Sequence, residues 1–113
     1  MAERSPLAYL NVEVERKGDR YLVHCRGKLI AAVCGTLYQR VNVLIPDRKQ
    51  IVLDLSDLEW IDSTGIGTLV RLHAGCRYAD CQLQLINMGN RVRELLGLTG
   101  LLGVFAGAGD STE

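Results

Sequence analysis

Neither sign of charge is in excess in this chain: 13 lysines and arginines face 13 aspartates and glutamates over 113 residues. Without a basic surplus there is no electrostatic footprint for nucleic acid or for an anionic membrane surface. Long apolar runs are lacking too, so no segment approaches the ~20 residues that a membrane-spanning helix needs. Histidine is scarce, with only His24 and His73, which fall in different predicted elements. The four cysteines, Cys25, Cys34, Cys76 and Cys81, match no zinc-ligand spacing. They read as small buried hydrophobes in a reducing compartment, and no metal or cofactor is expected. The opening residues Met1 to Pro6 include an acid and lead into no apolar block, which is not the pattern of a secretory signal. What remains is an ordinary globular composition, 48% hydrophobic and 23% charged, of a length for one domain. A soluble, cytoplasmic protein is the expectation.

Leu10, Val12 and Val14 alternate with Asn11, Glu13 and Glu15, the signature of a half-buried strand. A turn cluster at Lys17-Gly18-Asp19-Arg20 leads to Tyr21–Cys25, so an antiparallel hairpin is predicted, ended by Gly27. Apolar positions from Leu29 to Ile45 follow a helical period, and Pro46 blocks its continuation. Ile51-Val52-Leu53-Asp54-Leu55 is the nearly unbroken run of a central strand covered on both faces. A helix from about Gly65 to Tyr78 and an alternating strand, Gln82 to Asn87, complete a parallel crossover. Asn90 is the candidate cap of a short helix with Gly97 as its stop, Leu101 to Phe105 adds a short strand, and 106–113 reads as a frayed tail. The order is β-β-α-β-α-β-α-(β), an α/β fold with a mixed sheet of four to five strands and helices packed against it.

The chemistry concentrates where the central strand meets the next helix, at Trp60-Ile61-Asp62-Ser63-Thr64-Gly65-Ile66-Gly67. Helix N-termini present unpaired N–H groups and a partial positive charge, a ready setting for a phosphate. By spacing alone, the hydroxyl pair Ser63-Thr64 is either a plain helix cap or a phosphorylation switch, with Asp62 as electrostatic neighbour or cap. Phosphate on Ser63 would add about −1.5 to −2 charges and three acceptor oxygens. The helix start would tolerate it locally, while a partner docked over the site would not. Gly65 and Gly67 each cost about 1 kcal/mol relative to alanine inside a helix. Two readings stand for them: bare backbone for a docking partner, or tight packing of helix on strand.

Catalysis is disfavoured. Ser63 lacks a Gly-x-Ser-x-Gly context, and His73 would lie roughly 15 Å along the helix axis, out of reach as a base. No phosphate-cradling glycine loop of a nucleotide-binding enzyme occurs.

The stretch Ile51-Val52-Leu53-Asp54-Leu55-Ser56-Asp57-Leu58-Glu59-Trp60-Ile61-Asp62-Ser63-Thr64-Gly65-Ile66-Gly67 resembles the signature of STAS domains, the family of bacterial anti-sigma factor antagonists. The later stretch Asn87 to Leu101, especially Arg91–Leu101, resembles the family's region after the next strand, and the similarity spans about residues 8 to 105, with 1–7 and 106–113 as flexible termini. The resemblance implies that Ser63 is the phosphoacceptor, with Thr64 secondary. It implies a partner-binding surface of Asp62, Ser63, Thr64, Gly65, Ile66, Gly67 and Lys28. It further implies a cycle in which the unphosphorylated domain binds an anti-sigma factor that is also a serine kinase. Phosphorylation then releases the domain, and a serine phosphatase resets it. On this reading the chain is a substrate of that chemistry, not an enzyme, and it neither binds nucleic acid directly nor enters a membrane. Many members carry a Gly-Glu-Leu-Asp segment after the second strand. Here the stretch is Gly27-Lys28-Leu29-Ile30, with Lys28 and Ile30 in place of the acids. That departure points to the alternative, a non-switching STAS module of a stress-signalling scaffold or of a lipid or anion transport system. An uncovered edge strand would support self-association.

Overall fold

The computed structural model describes residues 9–47, 50–101, 103 and 105. The expected frayed ends, 1–7 and 106–113, lie outside them. Four strands, β1 (Leu10–Lys17), β2 (Arg20–Leu29), β3 (Gln50–Ile61) and β4 (Gln82–Ile86), form one sheet in the order β1-β2-β3-β4. The first pair is antiparallel and the other two are parallel, so the sheet is mixed as expected. Helices α1 (Ala31–Asn42), α2 (Ser63–Tyr78) and α3 (Asn90–Leu98) follow β2, β3 and β4.

The hairpin closes through a two-residue loop, Gly18-Asp19, between the paired Lys17 and Arg20. Gly18 sits at φ +61, the sign that a favoured two-residue hairpin turn requires at its first loop position. Gly27 does not end β2, contrary to expectation. It adopts φ +112, and a Cβ there would stand 2.1 Å from the Tyr9 carbonyl oxygen. The glycine lets the strand bend beside Tyr9 and continue to Leu29. β3 is correspondingly longer than the expected 51–55. Two register shifts, between His24 and Arg26 and between Gly27 and Lys28, each give β3 one residue more than its neighbour.

Among the described residues the helices cover one face of the sheet only. Leu10, Val23, Cys25, Ile51, Leu53, Leu55, Leu83 and Leu85 join Val33, Leu37, Leu69, Leu72, Val92 and Leu96 in a single core. The alternate strand positions, among them Glu13, Glu15, His24, Asp54 and Gln84, face away from it. The expectation of a central strand covered on both faces is therefore corrected: on the far face Val52 is buried beside its neighbours Leu22 and Gln84, with no described helix over it. Asp54, which looked like a lone polar residue in an apolar run, marks the open face. Its Oδ1 accepts from the Ser56 N–H at 3.0 Å and the Asn87 amide at 3.1 Å, and its Oδ2 lies 3.1 Å from His24 Nδ1. Burial raises the Asp54 carboxyl, but these hydrogen bonds and His24 outweigh it and hold the group below its ordinary value.

Two corrections concern the C-terminal part. The residue capping α3 is Gly89, not Asn90, which is the first helical residue. The stop is Gly100 at φ +77, not Gly97: Gly100 N–H bonds the Gly97 carbonyl at 3.1 Å and Leu101 N–H the Leu96 carbonyl at 2.8 Å. At the described residues of the strand expected over 101–105, namely 101, 103 and 105, no strand forms. Gly103 and Phe105 are helical, and Phe105 N–H points at the Leu101 carbonyl, one helical turn back. Phe105 is buried, its ring set edge-on against His73 at 5.4 Å between centroids. An aromatic that fills a gap beside α2 has no strand partner to seek. His73 is thus a packing residue, and burial, helped by Arg77, lowers its pKa.

Candidate functional site at the strand ends

The C-terminal ends of β2 and β3 stop side by side, Leu29 opposite Ile61. Each chain turns there into a helix, so the N-termini of α1 and α2 converge on one place. Asp62 sits between them. Its N–H donates to the Leu29 carbonyl at 3.2 Å, which locks the two strand ends together. As N-cap of α2, it accepts the Gly65 N–H on Oδ1 at 2.9 Å. On Oδ2 it accepts the Ala31 N–H of α1 at 3.2 Å. α1 needs that help, because its own N-cap residue, Ile30, has no side-chain acceptor. One carboxylate therefore meets orphan donors and the positive ends of two helices.

Because Asp62 takes the capping role, the hydroxyls do not. Ser63 and Thr64 are the first helical residues and both are exposed. Among the described residues no side chain hydrogen-bonds Ser63 Oγ, so its hydroxyl stands free at a helix N-terminus. His24 is engaged with Asp54 on the open sheet face, with Glu15 3.5 Å from its other nitrogen. No group of three or more potential metal ligands occurs among the described residues.

The two glycines separate. Gly65 is buried, and an added Cβ would stand 2.6 Å from the Leu29 carbonyl oxygen and 2.7 Å from Ile61 Cγ1. Its bareness lets α2 lie against the strand ends. Around Gly67, which is exposed, an added Cβ would meet nothing within 4 Å. Ile66 is buried in the core. Of the residues named for partner contact, the structure thus leaves Ser63, Thr64, Gly67 and Lys28 on the surface, with Asp62 half-buried between them.

Beneath the junction, Thr68 donates to the Thr64 carbonyl at 2.9 Å and Cys34 to the Ile30 carbonyl at 3.3 Å. Burial pushes the Cys34 thiol up; Thr68 acts the other way and the Asp62 charge adds to the rise. Burial and, secondarily, Asp54 raise the Cys25 thiol to about 12. The cysteines are all free and buried, as hydrophobes rather than nucleophiles.

Two features escaped the sequence reading. Trp60 is 41% exposed although it is a large aromatic in an inner strand, next to the buried Ile61. Arg91, from α3, places its guanidinium 4.3 Å from the Trp60 ring centroid. Alternation could have exposed Trp60, since its neighbour Ile61 points inward; nothing local announces Arg91.

A mixed sheet layered on one side by helices, with an exposed serine at a helix start beside the strand ends, defines a small domain of the α/β class. The STAS domain model matches residues 11–112, and the chain belongs to that family. It is 28% identical over 96 residues to the anti-sigma-B factor antagonist of Staphylococcus epidermidis, covering 81% of this chain and 86% of that one. Its fold superposes on an anti-sigma factor antagonist from Mycobacterium paratuberculosis with a TM-score of 0.77 at 23% identity, covering 85% and 82% of the two chains. Against the Bacillus cell fate determinant SpoIIAA in its phosphorylated form, the TM-score is 0.68 at 16% identity, covering 83% and 86%.

Proposed function

We propose that this chain is an anti-sigma factor antagonist switched by phosphorylation at Ser63. In the unphosphorylated state it binds an anti-sigma factor and so frees a sigma factor. The anti-sigma factor acts as a serine kinase: the γ-phosphoryl of ATP passes to Ser63 Oγ, the hydroxyl proton is released and ADP leaves. The modified domain dissociates, and a serine phosphatase hydrolyses the ester. Thr64 is the secondary acceptor.

The observation that carries this reading is the free Ser63 hydroxyl at the first position of α2, with the capping duty taken by Asp62. Phosphate there meets the N-terminal ends of two helices, so the domain stays folded while its outer surface gains bulk and charge. Membership of the STAS family and the relatives named above support the partner class.

The test is incubation with a candidate serine kinase anti-sigma factor and ATP, followed by mass spectrometric mapping. Phosphate on Ser63 is the expected result. Its absence from both Ser63 and Thr64 sinks the switch for that partner.

A second reading, a non-switching STAS interaction module, is favoured by one observation: Lys28 and Ile30 flank the site where an acidic pair would otherwise stand. Stable binding of a partner by both wild type and Ser63→Asp, with no phosphate uptake, is what that reading expects.

A further inference from the structure

Beside Ser63 the strand ends carry a surface of which the reading above uses only Lys28. Trp60, the chain's single tryptophan, keeps 41% of its surface open to solvent. Its cross-strand partner is Lys28. Since Leu29 and Ile61 point into the core, Lys28 and Trp60 share the opposite, open face of the sheet. Arg91 stacks over the Trp60 ring, and Lys28, Ile30, Glu59 and Trp60 line a groove of about 380 Å³. Among the described residues neither Lys28 nor Arg91 forms an ion pair. Glu59 lines the groove and pairs with neither.

An exposed tryptophan beside a stacked arginine combines the side chains that most often anchor protein interfaces. A guanidinium lying over an aromatic face keeps its edge N–H donors free for a carboxylate fork. Lys28 adds a point charge across the groove, and Ile30 an apolar contact. We infer that this face docks an acidic segment of a partner protein, presenting carboxylates to Lys28 and Arg91 and an apolar side chain to Trp60 and Ile30. The inference rests on the proposed function only in placing the partner at this end of the sheet. A nucleic acid suits the face less well, because the chain has no net positive charge and Glu59 lines the groove.

Trp60 makes the test direct, since its emission reports on this face alone. The full chain is titrated with a short synthetic peptide of alternating Glu and Leu, with a Lys–Leu peptide and with a short single-stranded DNA. The Glu–Leu peptide is expected to change Trp60 emission saturably, less so in high salt. Lys28→Glu and Arg91→Glu should each raise the half-saturating concentration about fivefold. Arg40→Glu, a charge reversal at an exposed residue in the last turn of α1, should leave it unchanged. Lys28→Gln and Arg91→Gln serve if a charge reversal fails to fold by circular dichroism. The inference is overturned by no saturable response to the acidic peptide, by an equal response to the basic one, by tighter binding of DNA, or by indifference to both substitutions. A chain that accepts phosphate on Ser63 but ignores the acidic peptide keeps the switch and loses this surface. A chain that binds the peptide but refuses phosphate does the reverse.

Discussion

Asp62 and Ala31, 31 positions apart in sequence, are joined by a 3.2 Å hydrogen bond from the Ala31 N–H to Asp62 Oδ2. The other oxygen of the same carboxylate caps α2 through Gly65. The residue that precedes the predicted phosphoacceptor is therefore structural before it is electrostatic: it ties two helix starts to two strand ends.

Asp62→Ala should consequently cost more than the loss of one cap. Removing a single N-cap costs about 1 kcal/mol, and here two helices lose their acceptor, so about 2 kcal/mol is expected in urea denaturation. Asp62→Asn, which keeps one acceptor oxygen, sets an amide donor in place of the other and loses the charge, should cost about half that. A loss below about 0.5 kcal/mol for Asp62→Ala would show that water replaces the carboxylate at no cost.

The glycines should answer in opposite directions. Gly65→Ala forces a Cβ against the Leu29 carbonyl and Ile61, and overpacking of this kind costs about 1–3 kcal/mol. Gly67→Ala meets open space and should stabilise the isolated domain by about 0.5–1 kcal/mol. If the bare backbone at Gly67 serves docking, that stabilised variant should nonetheless bind the anti-sigma factor more weakly. Thermal denaturation and calorimetry read the two effects separately.

Ser63→Asp is expected to leave the fold and its stability within about 0.5 kcal/mol of wild type, because the substituted carboxylate sits at a helix start. Binding to the anti-sigma factor should fall, while Ser63→Ala retains it and takes up no phosphate at this position. Equal affinities of wild type and Ser63→Asp by calorimetry would remove the electrostatic basis of the switch.

Acid should unmask Asp54. Its folded pKa lies below the ordinary carboxylate value because the Ser56 and Asn87 hydrogen bonds and His24 prevail over its burial. The unfolded chain binds this proton first, so the stabilisation is present above about pH 4, the unfolded value, and is lost as pH falls through the folded one. Asp54→Asn should be less stable than wild type at pH 7, and the gap should narrow on acidification. Parallel stability–pH curves for the two proteins would remove Asp54 from this account.

Much of the architecture was legible because it is written in local pattern. Alternation in 10–15 and 82–86 marks strands with a wet side, the helical period marks α1 and α2, and the glycine in the hairpin turn follows from its backbone requirement. The errors were local competitions decided elsewhere. Gly27 looked like a terminator because its neighbour Tyr9 is invisible from the segment itself. Phe105 looked like strand because its partner, His73, is on another helix.

The sequence alone determined the mixed α/β order, the STAS resemblance and the position of a hydroxyl pair where a strand becomes a helix, since periodicity and capping residues act over one or two turns. Only the tertiary structure decided that Asp62 caps two helices, that Gly65 packs inward while Gly67 stays bare, that Ser63 keeps its hydroxyl free, and that Arg91 covers Trp60. The first three depend on strands β2 and β3 ending side by side and the last on α3 returning to β3 after β4, contacts between distant segments that no local pattern encodes.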